Sequence, residues 1–160
     1  SEINRQTVNS LIIQLLHLEK ENPDAPITMY INSPGGEVDS GLALYDVMQA
    51  ISCPITTVCC GIAASMGSIL FMSADTRRML PHSRVMIHDP LAAGSITGPA
   101  LTIMQHSNDI MKTREILGSI ISKHTGKTLE EVYEKTSRDT YFTASEAIEF
   151  GLADEIISSL

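Results

Sequence analysis

Gly61-Ile62-Ala63-Ala64-Ser65-Met66-Gly67-Ser68 is the stretch around which the rest of the chain can be read. It follows the apolar, β-branched run Ile55-Thr-Thr-Val-Cys-Cys60 and leads into a second apolar run, Ile69-Leu-Phe-Met72. That succession reads as strand, tight small-residue turn and helix, with Ser65 in the first helical turn. Small neighbours let other backbone come close to the serine hydroxyl. A helix start adds unpaired N–H groups and the positive end of a dipole. This is the logic of a nucleophile elbow, in which the N–H after the serine helps to bind an oxyanion, although the G-x-S-x-G spacing is absent. The competing reading is a serine N-cap in a Gly/Ala packing turn, the commoner fate of such a residue.

At 160 residues the chain fits one domain, 1–160, with room for a sizeable core. Apolar residues make up 43% and charged residues 19%, the balance of a globular protein. No apolar run reaches the ~18 residues that a membrane span needs. The opening Ser1-Glu-Ile-Asn-Arg-Gln does not read as a signal peptide. A net charge of −8 argues against a nucleic-acid partner, which calls for a basic face. The three cysteines, Cys53, Cys59 and Cys60, have no zinc-site spacing and read as reduced thiols. A cytoplasmic location follows as the expectation, with an organelle stroma or matrix as the alternative. Without tryptophan, and with only 4% aromatics, the core must be filled by Met, Ala, Ile and Leu.

Apolar residues at Val8, Leu11, Ile12, Leu15, Leu16 and Leu18 have helical spacing across residues 4–21, which Asn22-Pro23-Asp24 ends. A strand is expected at 27–31, then Asn32-Ser33-Pro34-Gly35-Gly36, then a helix with Val38, Leu42, Leu44, Val47, Met48 and Ile51 on its apolar face. The next strand runs 55–60, and two short ones follow at 76–80 and 84–88. Beyond the loop 91–98 a helical pattern covers 99–123, ~37 Å at 1.5 Å per residue. Its apolar positions spread wider than one stripe, so it is expected to project beyond the core and bury its surplus on another chain. Thr128-Leu-Glu-Glu131 and Thr143-Ala-Ser-Glu146 are capping boxes that open two more helices. A last strand is expected at 153–157. The alternation of strand and helix predicts an α/β fold with a mostly parallel sheet.

Gly35-Gly36 sits between strand and helix as a phosphate loop does, but it lacks both dinucleotide and P-loop patterns. It suits a backbone that comes close to a ligand and offers an N–H, or a simple turn. His17 and His106 fall within helices, His82 in a turn and His124 near a helix C-terminus. His88 differs, because it ends the apolar strand Val85-Met-Ile and meets a small-residue loop from which it can reach a cleft. A half-buried histidine bonded to a carbonyl is the alternative. Asp139 precedes Tyr141-Phe142 in a polar segment and, taken singly, is no better a candidate than Asp75, Asp89 or Asp154. Spacing does not bring Ser65, His88 and Asp139 together.

Four stretches taken together go further. Tyr-Ile-Asn-Ser-Pro-Gly-Gly at 30–36, Gly-Ile-Ala-Ala-Ser-Met-Gly-Ser at 61–68, Ser-Arg-Val-Met-Ile-His-Asp-Pro at 83–90 and Thr-Ala-Ser-Glu-Ala-Ile-Glu-Phe-Gly-Leu-Ala-Asp at 143–154 closely resemble, in matching order, the proteolytic subunit of the Clp protease. The resemblance covers essentially the whole chain. It implies a serine endopeptidase with Ser65 as nucleophile, His88 as general base, Asp139 as orienting acid, and the backbone N–H groups of Gly36 and Met66 as oxyanion hole. It implies a crotonase-like fold, stacked rings of seven subunits around a chamber, and a "handle" helix at 99–123 that interlocks the rings. No cofactor or metal is implied in this subunit, ATP being used by a partner AAA+ unfoldase of the ClpX, ClpA or ClpC type that feeds in unfolded polypeptides.

The departures from that pattern are local. The family's axial loop and first strand would lie ahead of Ser1. Ala92-Ala93 stand where the family has glycines, in a loop beside which it lines up substrate. Ser137 stands where an acidic residue often precedes the arginine matched by Arg138, and that acid helps to bind ring to ring. These features point to a divergent copy that pairs with a paralogous ring. Two other functions compete: an acyl-CoA hydratase or isomerase of the crotonase fold, and a silent ring subunit serving as scaffold. Ser65 and His88 argue against the first, and an intact Ser/His/Asp set argues against the second.

Overall fold

In the computed structural model, which describes residues 1–92, 94 and 96–160, the chain begins with helix α1 (Arg5–Glu21) and strand β1 (Ile27–Ser33). Asn4 caps α1 in a capping box with Thr7, one that its residue types did not advertise. Helix α2 (Val38–Ala50) returns the chain to strand β2 (Ile55–Ala64), which runs straight into helix α3 (Met66–Met72). Strands β3 (Thr76–Met79) and β4 (Arg84–Ile87) follow, then the long helix α4 (Ala100–Thr125), helix α5 (Leu129–Thr136), strand β5 (Thr140–Thr143), helix α6 (Ala144–Phe150) and strand β6 (Glu155–Ile156).

Strand β2 is the spine of the sheet. On one side it pairs in parallel with β1, from Ile27↔Ile55 to Ser33↔Ala63, through an irregularity between Ile31 and Ser33. Along its other side lie β3, opposite residues 56–59, and β4, opposite residues 62–64, both parallel. Strand β6 extends the β3 edge in parallel, and β5 closes the β4 edge as the antiparallel member. The mostly parallel α/β sheet expected from the alternation is therefore present. Two of the differences from the expected elements bear on the site. The strand expected to stop at Cys60 continues to Ala64: Gly61, at φ +107°, lies in the stretch where β2 passes from β3 to β4 and its pairing with β1 breaks register. The segment after Asp139, expected only as an approach to Tyr141-Phe142, is strand β5, held by burial of Phe142 against Phe150 at 5.2 Å between ring centroids.

Every residue of α3 is buried, which the run Ile69-Leu-Phe-Met72 requires. It is the central helix of the core, and Thr57 on β2 donates its hydroxyl to the Phe71 carbonyl at 2.7 Å. Met29, Met48, Met66, Met72 and Met79 fill space that aromatics would otherwise occupy. Gly41 on α2 gives Met66 its room, since a Cβ there would meet the Met66 side chain. Both expected capping boxes form, Thr128 with Glu131 and Thr143 with Glu146.

Helix α4 is covered only at its C-terminal end by the rest of the chain, leaving apolar surface in excess of one stripe. Its buried residues are Leu117, Gly118 and Ile121, all in the C-terminal third, while Leu101, Ile103, Met104 and Met111 are exposed. The first four turns thus carry apolar side chains that the subunit's own core does not cover. Of the Ala92-Ala93 pair in the preceding loop, Ala93 lies outside the described residues. No helix among the described residues is long and apolar enough to cross a membrane.

Candidate active site

Strand β2 ends at Ala64 and α3 begins at Met66, so Ser65 must turn the chain by itself. It does so at φ +54° and ψ −124°, the one non-glycine with positive φ among the described residues. These are the angles of the first central position of a type II′ turn, which glycine dominates. Holding a serine there costs about 1–3 kcal/mol, which the buried β2–α3 junction sustains. The Ser65 N–H donates to the Met86 carbonyl on β4 at 2.9 Å, and Ser65's own carbonyl accepts from the Ser68 hydroxyl at 2.6 Å. Although Ser65 occupies the N-cap position, its side chain makes no capping bond. Its Oγ instead lies 2.8 Å from Nε2 of His88.

His88 follows the last residue of β4, one register step beyond the Ile87↔Thr140 pair. The antiparallel β4–β5 pairing therefore sets His88 beside the segment that enters β5. That brings Asp139 Oδ1 to 3.0 Å from His88 Nδ1. The imidazole is 13% exposed and the carboxylate 61% exposed, so the three groups run from a dry interior toward solvent. The three sequence candidates, separated by 23 and 51 residues, form one hydrogen-bonded chain. Asp75, Asp89 and Asp154, equal to Asp139 on sequence alone, lie elsewhere: Asp75 accepts from the Ile55 N–H, Asp89 pairs with Arg114, and Asp154 pairs with Arg77.

Gly36 and Met66 both line the cavity beside Ser65. Ile3 donates to the Gly35 carbonyl and accepts from the Glu37 N–H, so in this isolated parallel bridge the N–H of Gly36 points away from Ile3. Met66 N–H is in the first turn of α3, where no intrahelical acceptor exists. Among the described residues neither N–H has a protein acceptor. Gly36, Ser65, Met66 and His88 line one cavity of about 280 Å³, whose wall is completed mainly by Val38, Ile69 and Leu117. A larger cavity of about 380 Å³ between α1 and β1 contains none of the three hydrogen-bonded residues.

Burial removes one further nucleophile candidate, a cysteine of β2. Cys59 is fully buried and donates to the Arg84 carbonyl, and burial pushes its thiol up to about 11, an inert state at neutral pH. The Tyr45 hydroxyl and His124 Nε2 share a hydrogen bond at 3.1 Å far from Ser65 in the fold, at the C-terminal end of α4. Among the described residues no three His, Cys, Asp or Glu side chains converge as metal ligands. Three features escaped sequence reasoning: the positive φ of Ser65, the packing of Gly35 against it, and the Asp89–Arg114 pair. The adjacent glycines hinted at the second, but nothing in residue type or spacing signals the third.

A serine hydroxyl, an imidazole and a carboxylate in one hydrogen-bonded chain, beside two N–H groups on the wall of an apolar recess, are the kinds of group that hydrolytic enzymes employ. The family model for Clp protease matches residues 1–159, so the chain belongs to the Clp protease family and has that family's mixed α/β fold. Its activity class is that of a peptidase, a hydrolase of peptide bonds.

Proposed function

We propose that this chain is a serine endopeptidase subunit in which Ser65 is the nucleophile, His88 the general base and Asp139 the orienting acid. The observation that carries the proposal is the unbroken path Ser65 Oγ–His88 Nε2–His88 Nδ1–Asp139 Oδ1, at 2.8 and 3.0 Å. His88 takes the hydroxyl proton as Oγ attacks the peptide carbonyl carbon. Asp139 holds the tautomer with the proton on Nδ1 and stabilises the imidazolium that forms. The Gly36 and Met66 N–H groups receive the negative charge that develops on the carbonyl oxygen, where losing one donor typically costs ~10²–10³ in rate. His88 then returns the proton to the departing amine. Water repeats the sequence on the acyl-enzyme, releasing the carboxylate product and free Ser65. The walls formed by Val38, Ile69 and Leu117 favour an apolar substrate side chain beside the scissile bond.

The working particle in this reading is a pair of stacked seven-membered rings, either homomeric or joined to a paralogous ring. An AAA+ unfoldase delivers unfolded polypeptide into its chamber, and short peptides leave. The uncovered apolar residues of α4 support such an assembly, because exposed apolar patches of this kind mark interaction surfaces. A serine-reactive phosphonate tests the reading. Stoichiometric modification of Ser65 is expected, and Ser65→Ala should lower peptide hydrolysis by ~10³-fold or more without unfolding the chain. An assembled particle whose Ser65 is not modified would instead favour a silent scaffold.

A further inference from the structure

We infer that Arg114, at the base of α4, is a positioning residue for His88, acting through Asp89. This inference rests on the reading of Ser65, His88 and Asp139 given above. Arg114 Nε donates to Asp89 Oδ2 at 2.7 Å, and the guanidinium carbon stands 3.7 Å over the ring of Tyr133 on α5. The Asp89 N–H donates to the Thr136 carbonyl at the end of α5, also at 2.7 Å. The residue directly after His88 is thereby fixed to two helices, by its side chain and by its backbone. Thr136 begins the short connection that carries Asp139, so one clamp holds both neighbours of the His88–Asp139 bond.

The clamp matters because Asp139 has little else to hold it. Among the described residues its carboxylate bonds only His88, and it is more than half exposed. Ordinary surface ion pairs contribute little, but this one is only 22% and 32% exposed and is stacked on an aromatic ring, conditions in which a planar guanidinium is most effective. Arg114 also marks the place where α4 enters the body. The residues before it are largely uncovered, and Leu117 is the first buried residue of the helix. The Arg114–Asp89 pair is the side-chain link between that entry point and the residue next to His88.

The test uses the assembled full-length protein with a fluorogenic peptide and the phosphonate. Asp89→Asn, which keeps the shape of the side chain, and Arg114→Met, which keeps its stem over Tyr133, should each lower kcat about 10-fold. KM should change less than about twofold, and phosphonylation of Ser65 should slow in step with kcat. The Asp89/Arg114 double variant should be no worse than either single one, because both break the same pair. In an Asp139→Asn background neither should cost much more, an outcome that a general loss of stability would not produce. Lys112→Gln, two residues away and solvent-exposed, serves as the control with unchanged rate. Wild-type kcat in both single variants, or a raised KM with kcat intact, overturns the inference. If Arg114→Met fails to assemble, Asp89→Asn decides alone, since it leaves α4 untouched. Absence of Ser65 labelling in the unaltered protein would sink the peptidase reading itself, whereas equal labelling in the unaltered protein and all variants sinks only the clamp.

Discussion

Gly35 lies hard against Ser65: a Cβ built on Gly35 would stand 2.7 Å from Ser65 Cβ and 2.9 Å from the Ala64 carbonyl oxygen. Both separations are shorter than real carbon contacts allow. The neighbour of Gly36 and the Ala64–Ser65 segment are thus in direct contact, with no space for a side chain. Positive φ at Gly35, +102°, is a second reason for glycine there.

Gly35→Ala should therefore move Ser65 relative to Gly36 by several tenths of an ångström. The expected result is a loss of kcat of about 10- to 100-fold, since small misplacements at a reacting centre are costly. The particle should still assemble, because the atoms crowded at Gly35 belong to Ala64 and Ser65 and not to α4. Steady-state peptidase kinetics beside sedimentation velocity would check this. Full activity in the variant would show that the junction can relax, and the geometric argument would fail.

Ser65 stores strain as well as chemistry. Glycine adopts φ +54° and ψ −124° at no steric cost, whereas alanine keeps the penalty while losing the hydroxyl. Ser65→Gly and Ser65→Ala should both be inactive, yet the glycine variant should be the more stable by about 1 kcal/mol. Urea denaturation of the two proteins side by side is the measurement. Equal midpoints would mean that the turn relaxes without the serine.

Much of this arrangement is legible before any coordinates. The strand–turn–helix around Ser65 is readable because the change from β-branched to small to bulky apolar residues coincides with the change of element. The length of α4 is readable for a similar reason, its apolar residues outnumbering what one stripe can bury. The meeting of Ser65, His88 and Asp139 is a different kind of fact. It depends on β4 pairing in parallel with β2 and antiparallel with β5, contacts spanning tens of residues that no local periodicity encodes. Strand β5 itself is hidden in four residues, of which only Phe142 is buried. The positive φ of Ser65 is invisible because serine is not the residue that such angles favour.

A pH effect on stability is expected from His124, outside the site. Burial, then the charges of Lys123 and Arg77, hold its imidazole below the ordinary value of 6.5, so the folded chain prefers it neutral. The unfolded chain takes up a proton near 6.5 and the folded chain only at lower pH. Stability is thus complete above 6.5 and declines as pH falls from there toward the folded value. His124→Gln should keep a polar partner for Tyr45 and flatten that decline. Denaturant titrations at pH 7.5 and 5.5 would show it as a smaller difference between the two pH values than in the unaltered protein. An identical difference in both proteins would assign the acid sensitivity to other groups.

Helix α4 offers the test of assembly. Met104 and Met111 are seven residues apart on one face of the helix, 55% and 47% exposed in the isolated subunit. If two rings meet along this helix, both side chains become buried between them. Met104→Glu with Met111→Glu would then place carboxylates in a dry interface, and burying an unpaired charge is far more costly than keeping the rings apart. The expected outcome is a particle of half the mass, with helix content unchanged because glutamate is as good a helix former as methionine. Peptidase activity should fall with the particle if ring contact on α4 is transmitted to His88 through Arg114. Sedimentation velocity, circular dichroism and peptide hydrolysis on the same preparation separate these effects. A double variant that sediments like the unaltered protein would place those methionines outside any ring contact. Single rings with full activity would keep the interface but sever its link to His88.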